Sequence, residues 1–317
     1  MKTNKLVIST LAAALLWGAT LASAHAAPRG AVLSPSDLEA SYRTALVERI
    51  GKARAERPAA FRNVDDVLSA VPELDRRKRG RFATISRELA ALGPDALMPM
   101  LERLAVDGPA RGKLTDTAWL TLRMGLIEAV GMRRDPVAVP VLWKIYEQES
   151  EYYVVRSAAE ALGRIGTDDA AAALIKLART RGPKQLAVLS AIGDCRRTVV
   201  ARGLEEFLRS SPEYEATRLA IRALGDVGNS WAWETPAVKK TGEGAVVRST
   251  AAKALVDAFA RHHRDEVLRI AAQKALLVVA DPATPGMIEA AKSGADPRLA
   301  ARLDQLKLKF VSYTTKK

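Results

Sequence analysis

The chain has 317 residues, of which 48% are hydrophobic, 27% charged and only 5% aromatic, and its formal net charge is +13. This composition is typical of a folded globular protein and excludes a wholly disordered chain. A single Cys excludes an internal disulfide framework and any metal cluster that needs several Cys ligands.

Residues 1–26 predict a secretory signal peptide. Lys2 and Lys5 precede an uncharged apolar run over 6–22, and small residues follow it. Two overlapping Ala-x-Ala patterns, which end at Ala24 and Ala26, favour cleavage over the alternative of an uncleaved anchor. Removal of the two Lys leaves a formal charge of 13 − 2 = +11. We therefore expect a basic bacterial protein that is periplasmic or secreted.

A six-residue phrase recurs along the rest of the chain. It reads ELAALG at 88–93, LIEAVG at 126–131, ALGRIG at 161–166, VLSAIG at 188–193 and ALGDVG at 223–228. Each phrase ends an apolar stretch with helical spacing, and its final Gly suits the left-handed turn that ends many helices. No segment shows the sustained alternation of a β-strand. The sequence therefore predicts an all-α chain.

Helix starts between these phrases divide the chain into antiparallel helix pairs. Pro, Asp and Thr stand where such helices would begin, because the first amide groups of a helix need an acceptor and proline has no amide donor. The predicted pairs are 94–107/114–130, 135–149/151–165, 168–181/183–193, 196–210/212–227, 246–262/265–280 and 283–293/296–310. Before them we expect a signal peptide (1–26) and an irregular helical capping region (27–92). The pairs fill a repeat array over 93–310, and a frayed polar tail follows (311–317).

One pair carries a phrase that is typical of a known family. The sequence VVRSAAEALGRIG at 154–166 follows DPVAVPVLWKIYEQ at 135–148. This unit resembles the HEAT repeat, in the short form of phycobilisome-lyase-type proteins. The resemblance implies an α-solenoid, an armadillo-like superhelix of stacked helix pairs, and it says little about activity.

The second helices place an Arg at equivalent positions. These residues are Arg156, Arg218 and Arg269, and the resemblance implies that they line the concave face of the array. They could form a basic stripe for an acidic partner. Alternatively, they could pair with acids of neighbouring repeats and hold the stack together.

An insertion interrupts the repeat spacing at 229–245. It contains Trp231, Trp233, Lys239 and Lys240. Insertions in repeat arrays fall on loops, where binding residues concentrate, and Trp beside Lys could bind a sugar, an aromatic group or an acidic peptide. The alternative is that both Trp side chains fold back to fill a gap between repeats.

The residues that usually carry catalysis or metals are scarce. His262 and His263 are adjacent on a helix, so their side chains diverge, and the repeated His-Glu pairs of HEAT-type di-iron hydroxylases are missing. Cys195 lies beside two Arg at a predicted helix start, where a thiol could be reactive or simply fill a small-residue position. The sequence also lacks nucleophile-elbow and phosphate-loop motifs. We therefore expect no metal, no cofactor and no enzymatic activity.

The favoured function is a non-catalytic periplasmic scaffold that binds another protein, which could be acidic. One alternative is a binder of an anionic envelope polymer through the basic surface and the Trp loop. Another is a lyase- or chaperone-like subunit, by analogy with bilin lyases. No nucleic-acid partner is expected of an exported chain, and no transmembrane segment after cleavage of the leader.

Overall fold

The computed structural model describes residues 29–315, so the predicted signal peptide lies outside the described residues. This part of the chain folds into helices, with no strand. The helices are α1 (Ala40–Glu56), α2 (Pro58–Ser69), α3 (Val71–Arg77), α4 (Ser86–Ala91), α5 (Leu97–Ala105), α6 (Asp116–Arg133), α7 (Val139–Gln148), α8 (Tyr152–Ile165), α9 (Asp168–Arg179), α10 (Gln185–Ala191), α11 (Thr198–Arg209), α12 (Tyr214–Val227), α13 (Pro236–Lys239), α14 (Gly244–Arg261), α15 (Glu266–Val279), α16 (Thr284–Lys292) and α17 (Pro297–Thr314).

Side-chain caps fix several helix starts where the sequence predicts them. The hydroxyl of Thr167 accepts a hydrogen bond from the amide of Ala170 at 3.3 Å, and Thr115 caps α6 in the same way. The carboxylate of Asp265 accepts from the amide of Leu268 at 2.9 Å. Each cap satisfies one of the amide donors that the first turn of a helix leaves without a partner.

The helix pairs stack into two layers. The first helices of the pairs are α5, α7, α9, α11, α14 and α16, and the second helices are α6, α8, α10, α12, α15 and α17. Each second helix contacts the second helix of the next pair, and each pair is also packed internally. One continuous apolar core therefore runs along the stack, as expected for repeats that cannot bury their apolar faces alone. The prediction of an all-α solenoid is confirmed.

Two of the phrase-ending glycines adopt the backbone geometry predicted for them. Gly93 has φ of 85° and Gly166 has φ of 65°, which is the left-handed region where L side chains are strained. Gly166 ends α8 with a hydrogen bond from its amide to the carbonyl of Leu162 at 2.9 Å. Here the glycine is needed for its backbone conformation.

The predicted left-handed turn is wrong for the other three phrase-ending glycines. Gly131, Gly193 and Gly228 do not have positive φ. A Cβ atom on Gly131 would lie 2.5 Å from the Cα of Ala161 in α8, and one on Gly228 would lie 2.8 Å from Cγ2 of Val279. These glycines let neighbouring repeats approach closely. Helix α6 continues through Gly131, and Arg134 takes the left-handed position with φ of 54°.

The N-terminal segment packs against the start of the array. Helix α1 contacts α2 and α5, and α4 contacts α6, so α4 begins the layer of second helices. Residues 31–33 are buried, and the amide of Ala31 donates to the carbonyl of Arg103 at 2.8 Å near the end of α5. At the other end of the chain α17 reaches Thr314, so most of the segment expected to be a frayed tail is helical.

Among residues 29–315, none of the helices combines the length and the apolar character needed to cross a membrane.

Candidate functional site

The three second-helix arginines occupy different electrostatic environments. Arg156 pairs with Glu160 at 3.1 Å, and Arg218 pairs with Glu215 at 2.7 Å. In both cases the acid belongs to the same helix as the Arg. The expected pairing with acids of neighbouring repeats is therefore wrong for these two residues. Arg269 has no carboxylate within 4.0 Å in the described chain, and its Nε atom is enclosed without an acceptor.

Exposed apolar side chains mark the first turns of successive second helices. We call this set the first-turn row, and it consists of Tyr152 in α8, Leu186 in α10, Tyr214 in α12 and Val267 in α15. Tyr152 is 41% exposed and Tyr214 is 51% exposed. Single exposed apolar residues are ordinary, but the recurrence of one at the same place in four successive repeats is not.

One member of this row, Tyr152, is joined to the next repeat by a hydrogen bond. The hydroxyl groups of Tyr152 and Ser190 lie 3.2 Å apart and join α8 to α10. The pKa of Arg218 is raised, first by its hydrogen bonds to Glu215 and to a smaller degree by the nearby Tyr214 and Tyr152. Tyrosine and arginine side chains thus lie together at the edge of the second-helix layer.

The row continues toward the N-terminal region through an aromatic cluster that sequence reasoning missed. The rings of Tyr152 and Tyr153 meet edge to face at 5.3 Å, and Tyr153 meets Phe82 at 4.9 Å. The guanidinium group of Arg81 lies 4.8 Å from the centre of the Tyr153 ring. Cation–π contacts of this kind hold an arginine in place without neutralising its charge. The tyrosine pair was visible in the sequence, but its meeting with Phe82 depends on how α8 lies against the loop before α4.

The two Trp residues of the insertion have opposite environments. Trp233 is 5% exposed, and its indole Nε1 donates to the carbonyl of Val227 at 2.9 Å. Its ring also packs against Gly244, the first residue of α14. Trp231 is 69% exposed. One Trp therefore fills a gap between repeats, and the other lies on the surface.

The two Lys residues of the insertion also differ. Lys239 pairs with Glu234 at 3.1 Å within the insertion. Lys240 makes no ion pair in the described chain, and it lines a cavity formed between the insertion and the ends of α6 and α8. The structure thus separates the four predicted site residues of the insertion: Trp233 is in the core, and Lys239 and Lys240 face different neighbours.

The end of the insertion is fixed by Glu243. One carboxylate oxygen of Glu243 accepts from the amide of Thr198, the first residue of α11, at 2.6 Å, and the other accepts from Nε of Arg197 at 2.6 Å. Arg197 also donates to the carbonyl of Gly166 at 2.7 Å and to Asp168. Burial alone would raise the pKa of Glu243, but the hydrogen bonds from Thr198 and Arg197 outweigh it and lower that pKa. Arg197 and Glu243 together tie the insertion to three neighbouring helices.

The thiol of Cys195 is enclosed. Its exposed fraction is 0%, and Gly163 lies directly against it. Burial raises the pKa of the thiol to about 12, which outweighs the opposing effect of Arg197 and Arg196. At this pKa the nucleophilic thiolate is scarce at neutral pH. The geometry favours the packing role over a reactive or chain-linking one.

Between residues 29 and 315, no three His, Cys, Asp or Glu side chains are grouped so that they could hold a metal ion.

The class of protein follows from the stacked pairs: the described chain is an α-solenoid. Residues 109–193, which include α6 to α10, match the family model for HEAT repeats. Residues 109–193 therefore carry HEAT repeats, and the resemblance read from residues 135–166 is confirmed.

Comparison with other proteins adds little to this. No curated protein matches the chain. Five chains of solved structures match it. One is human deoxyhypusine hydroxylase in complex with glycerol, which is 17% identical, with a TM-score of 0.29, over 82% of this chain and 98% of that one. At this level of similarity, the activity of the neighbour says nothing about the activity of this chain.

Proposed function

We propose that this protein is a non-catalytic, exported scaffold that binds an acidic protein through the first-turn row and Arg218. The single observation that carries the proposal is the exposure of Tyr152, Leu186, Tyr214 and Val267 in the first turns of four successive second helices. This recurrence puts an exposed apolar side chain at an equivalent position on four consecutive repeats.

The residue types of this surface favour a protein partner. Tyrosine and arginine are enriched among the residues that contribute most to protein–protein binding, because they combine a large apolar area with a polar tip. A stack of helix pairs offers such residues as a long, shallow surface, so it needs no deep pocket. The surface therefore fits an extended partner better than a small substrate.

The charge of the chain favours an acidic partner. The whole chain has a formal net charge of +13. Arg218 keeps a partly exposed guanidinium group beside the row, and Arg81 adds a second one at its N-terminal end. Complementary charge speeds association and selects among partners, while the desolvated apolar contacts contribute more to the lifetime of the complex.

A pull-down from intact cell envelopes tests the proposal. We expect Tyr152→Ala/Tyr214→Ala and Arg218→Glu each to lose the partner that the unchanged chain recovers. Tyr313→Ala is the matched control, because Tyr313 is similarly exposed but lies in α17. Recovery of the same partners by all variants would show that the first-turn row does not bind the partner.

Added salt separates this function from the alternative of an anionic envelope polymer. Binding to a polymer through many Lys and Arg depends on screened charges and should weaken steeply between about 0.05 M and about 0.5 M salt. A packed protein interface should keep most of its affinity over that range. Trp231, the exposed Trp of the insertion, would be the residue to replace if the steep dependence were found.

Export is a separate part of the proposal and has its own test. Fractionation of cells that produce the full chain should place the protein outside the cytoplasm. N-terminal sequencing should then begin at residue 25 or 27, after one of the two Ala-x-Ala patterns. A cytoplasmic chain that begins at Met1 would contradict it.

A further inference from the structure

A cavity lined by arginines lies where the insertion covers the ends of two repeats. Its volume is about 580 Å³, and it lies between the C-terminal ends of α6 and α8, the start of α11, and α13. We call it the arginine cavity. The cationic side chains that line it are Arg133, Arg134, Arg196, Arg197 and Lys240, and no carboxylate of the described chain is among the lining residues.

Two of these cations pair with acids that are not among the lining residues. Arg197 pairs with Glu243 at 2.6 Å and also with Asp168. Arg196 pairs with Asp194 at 3.1 Å, but Asp194 is shared with Arg164, which lies 2.9 Å from it. The acids near the cavity are thus already engaged with cations.

The other three cations make no ion pair in the described part of the chain. Arg133, Arg134 and Lys240 have no carboxylate within 4.0 Å in residues 29–315. Burial lowers the pKa of Arg134, the positive charges of Arg196 and Arg164 lower it further, and the nearby Asp194 opposes them only in part. The cavity therefore concentrates positive charge in partly desolvated surroundings, which is unfavourable unless an anion enters.

The attraction of cations to the C-terminal ends of helices explains only some of these side chains. The last carbonyl groups of a helix attract cations, and Arg134 satisfies one of them by donating to the carbonyl of Arg164. Among residues 29–315, Arg133 and Lys240 donate to no backbone carbonyl, and the enclosed Nε of Arg133 has no acceptor. A purely structural role thus leaves the enclosed Nε of Arg133 unexplained, and the exposed Lys240 adds a further positive charge to the lining.

We propose that the arginine cavity binds an organic phosphate. Guanidinium groups match phosphate oxygens with paired, charge-assisted hydrogen bonds. The volume lies in the range of small-molecule sites and exceeds what a bare ion needs. Met132, Ile165 and Val238 add apolar wall for the organic part of such a ligand. The bound group could belong to a soluble phosphate ester or to a phospholipid headgroup, since both present the same chemistry.

Titration of the full chain with glycerol 3-phosphate, at constant ionic strength, tests the proposal by calorimetry. Saturable binding is expected, and Arg133→Gln or Lys240→Gln should weaken it about tenfold each, as for a lost charge-assisted hydrogen bond. Lys239→Gln is the matched control, because Lys239 is the neighbouring exposed lysine and pairs with Glu234 outside the cavity. It removes the same charge and should change the affinity less than about twofold.

The second arm uses vesicles with and without phosphatidylglycerol. Binding to the anionic vesicles that is lost in Lys240→Gln and kept in Lys239→Gln supports the proposal, with a lipid headgroup as the source of the phosphate. Equal affinity of the two lysine variants for every probe overturns it, because charge alone would then explain the binding. Failure of both glycerol 3-phosphate and the vesicles to bind also overturns it. Lys240 is exposed, so its variant should fold normally, which circular dichroism checks.

Discussion

The repeats from α6 to α12 and the insertion at 229–245 are held in place by different means. In the repeats, small residues let helices approach closely: Gly131 lies against Ala161, and Gly163 lies against Cys195. In the insertion, one buried ring and one carboxylate make the principal attachments, through Trp233 at one end and Glu243 at the other. The repeats are thus held by many close helix contacts, and the insertion by a few attachments, which also include the hydrogen bonds from Ser230 to the carbonyl of Val278.

The largest effect that distinguishes the two regions should come from Trp233→Ala. Removing a buried aromatic side chain costs about 3–5 kcal/mol, and here it also leaves the carbonyl of Val227 without its donor. We expect the insertion to detach and the midpoint of urea unfolding to fall. Proteolysis should then cut the chain first within 229–245.

Trp231→Ala is the control for this change, because it removes the same side chain from the same insertion. With Trp231 69% exposed, we expect the free energy of unfolding to change by less than about 0.5 kcal/mol. Equal destabilisation by the two variants would show that the insertion is not anchored by Trp233.

Gly131→Ala tests the close packing of the repeats. The added Cβ would lie 2.5 Å from a backbone atom of α8, which cannot turn away as a flexible side chain could. We expect a loss of about 1–3 kcal/mol in the free energy of unfolding, measured by urea denaturation. Gly51→Ala is the matched control: a Cβ there meets nothing within 4 Å, so the higher helix propensity of Ala should stabilise α1 by up to about 1 kcal/mol. A neutral Gly131→Ala would show that α6 and α8 are not closely packed at this point.

The repeats could be predicted from the sequence because their packing is periodic. Val155, Ala158, Ala159 and Leu162 follow helical spacing, and all four are buried. The glycines at the phrase ends were harder, since both a left-handed turn and a close approach favour Gly at a helix end. At Gly131 the close approach applies, because α6 does not end there. The helix continues to Arg133, and Arg134 takes the left-handed conformation at its end.

Glu243→Gln tests the second anchor of the insertion and should have a pH signature. Its carboxylate has a lowered pKa in the folded chain, so its contribution is present above the ordinary value of 4.5 and is lost as pH falls through the lower folded pKa. We expect the variant to be less stable by about 1–2 kcal/mol at about pH 7, because a charge-assisted cap and an ion pair are lost. The difference should disappear at a pH below that lowered folded pKa.

The control for this prediction is Glu234→Gln in the same insertion. Glu234 is exposed and pairs only with the exposed Lys239, so its replacement should cost less than about 0.5 kcal/mol at either pH. A difference between Glu243→Gln and the unchanged chain that is the same at both pH values would mean that the charge of Glu243 is not what holds the insertion.

The candidate sites were only partly predictable, because they depend on contacts between distant segments. The sequence singled out Lys240 and Arg218, but neither the arginine cavity nor the first-turn row follows from local spacing. Arg133 and Lys240 are more than 100 residues apart in the chain and line one cavity only because the insertion folds back over the repeat ends. The repeat period cannot predict how the insertion lies against the repeat ends, because the insertion interrupts that period.

The smallest perturbation concerns Cys195, whose labelling reports directly on the repeat interior. With the thiol fully enclosed and its pKa raised to about 12, we expect a maleimide to modify it only when the chain is unfolded in urea. A chain with Cys195→Ala and Val199→Cys provides the comparison, because Val199 is exposed in the first turn of α11, only four residues away. That thiol should be modified within minutes without denaturant. Rapid labelling of Cys195 in the native chain would mean that the contact between Gly163 and Cys195 opens readily, and the packing of the repeats would then be looser than the closeness of these residues implies.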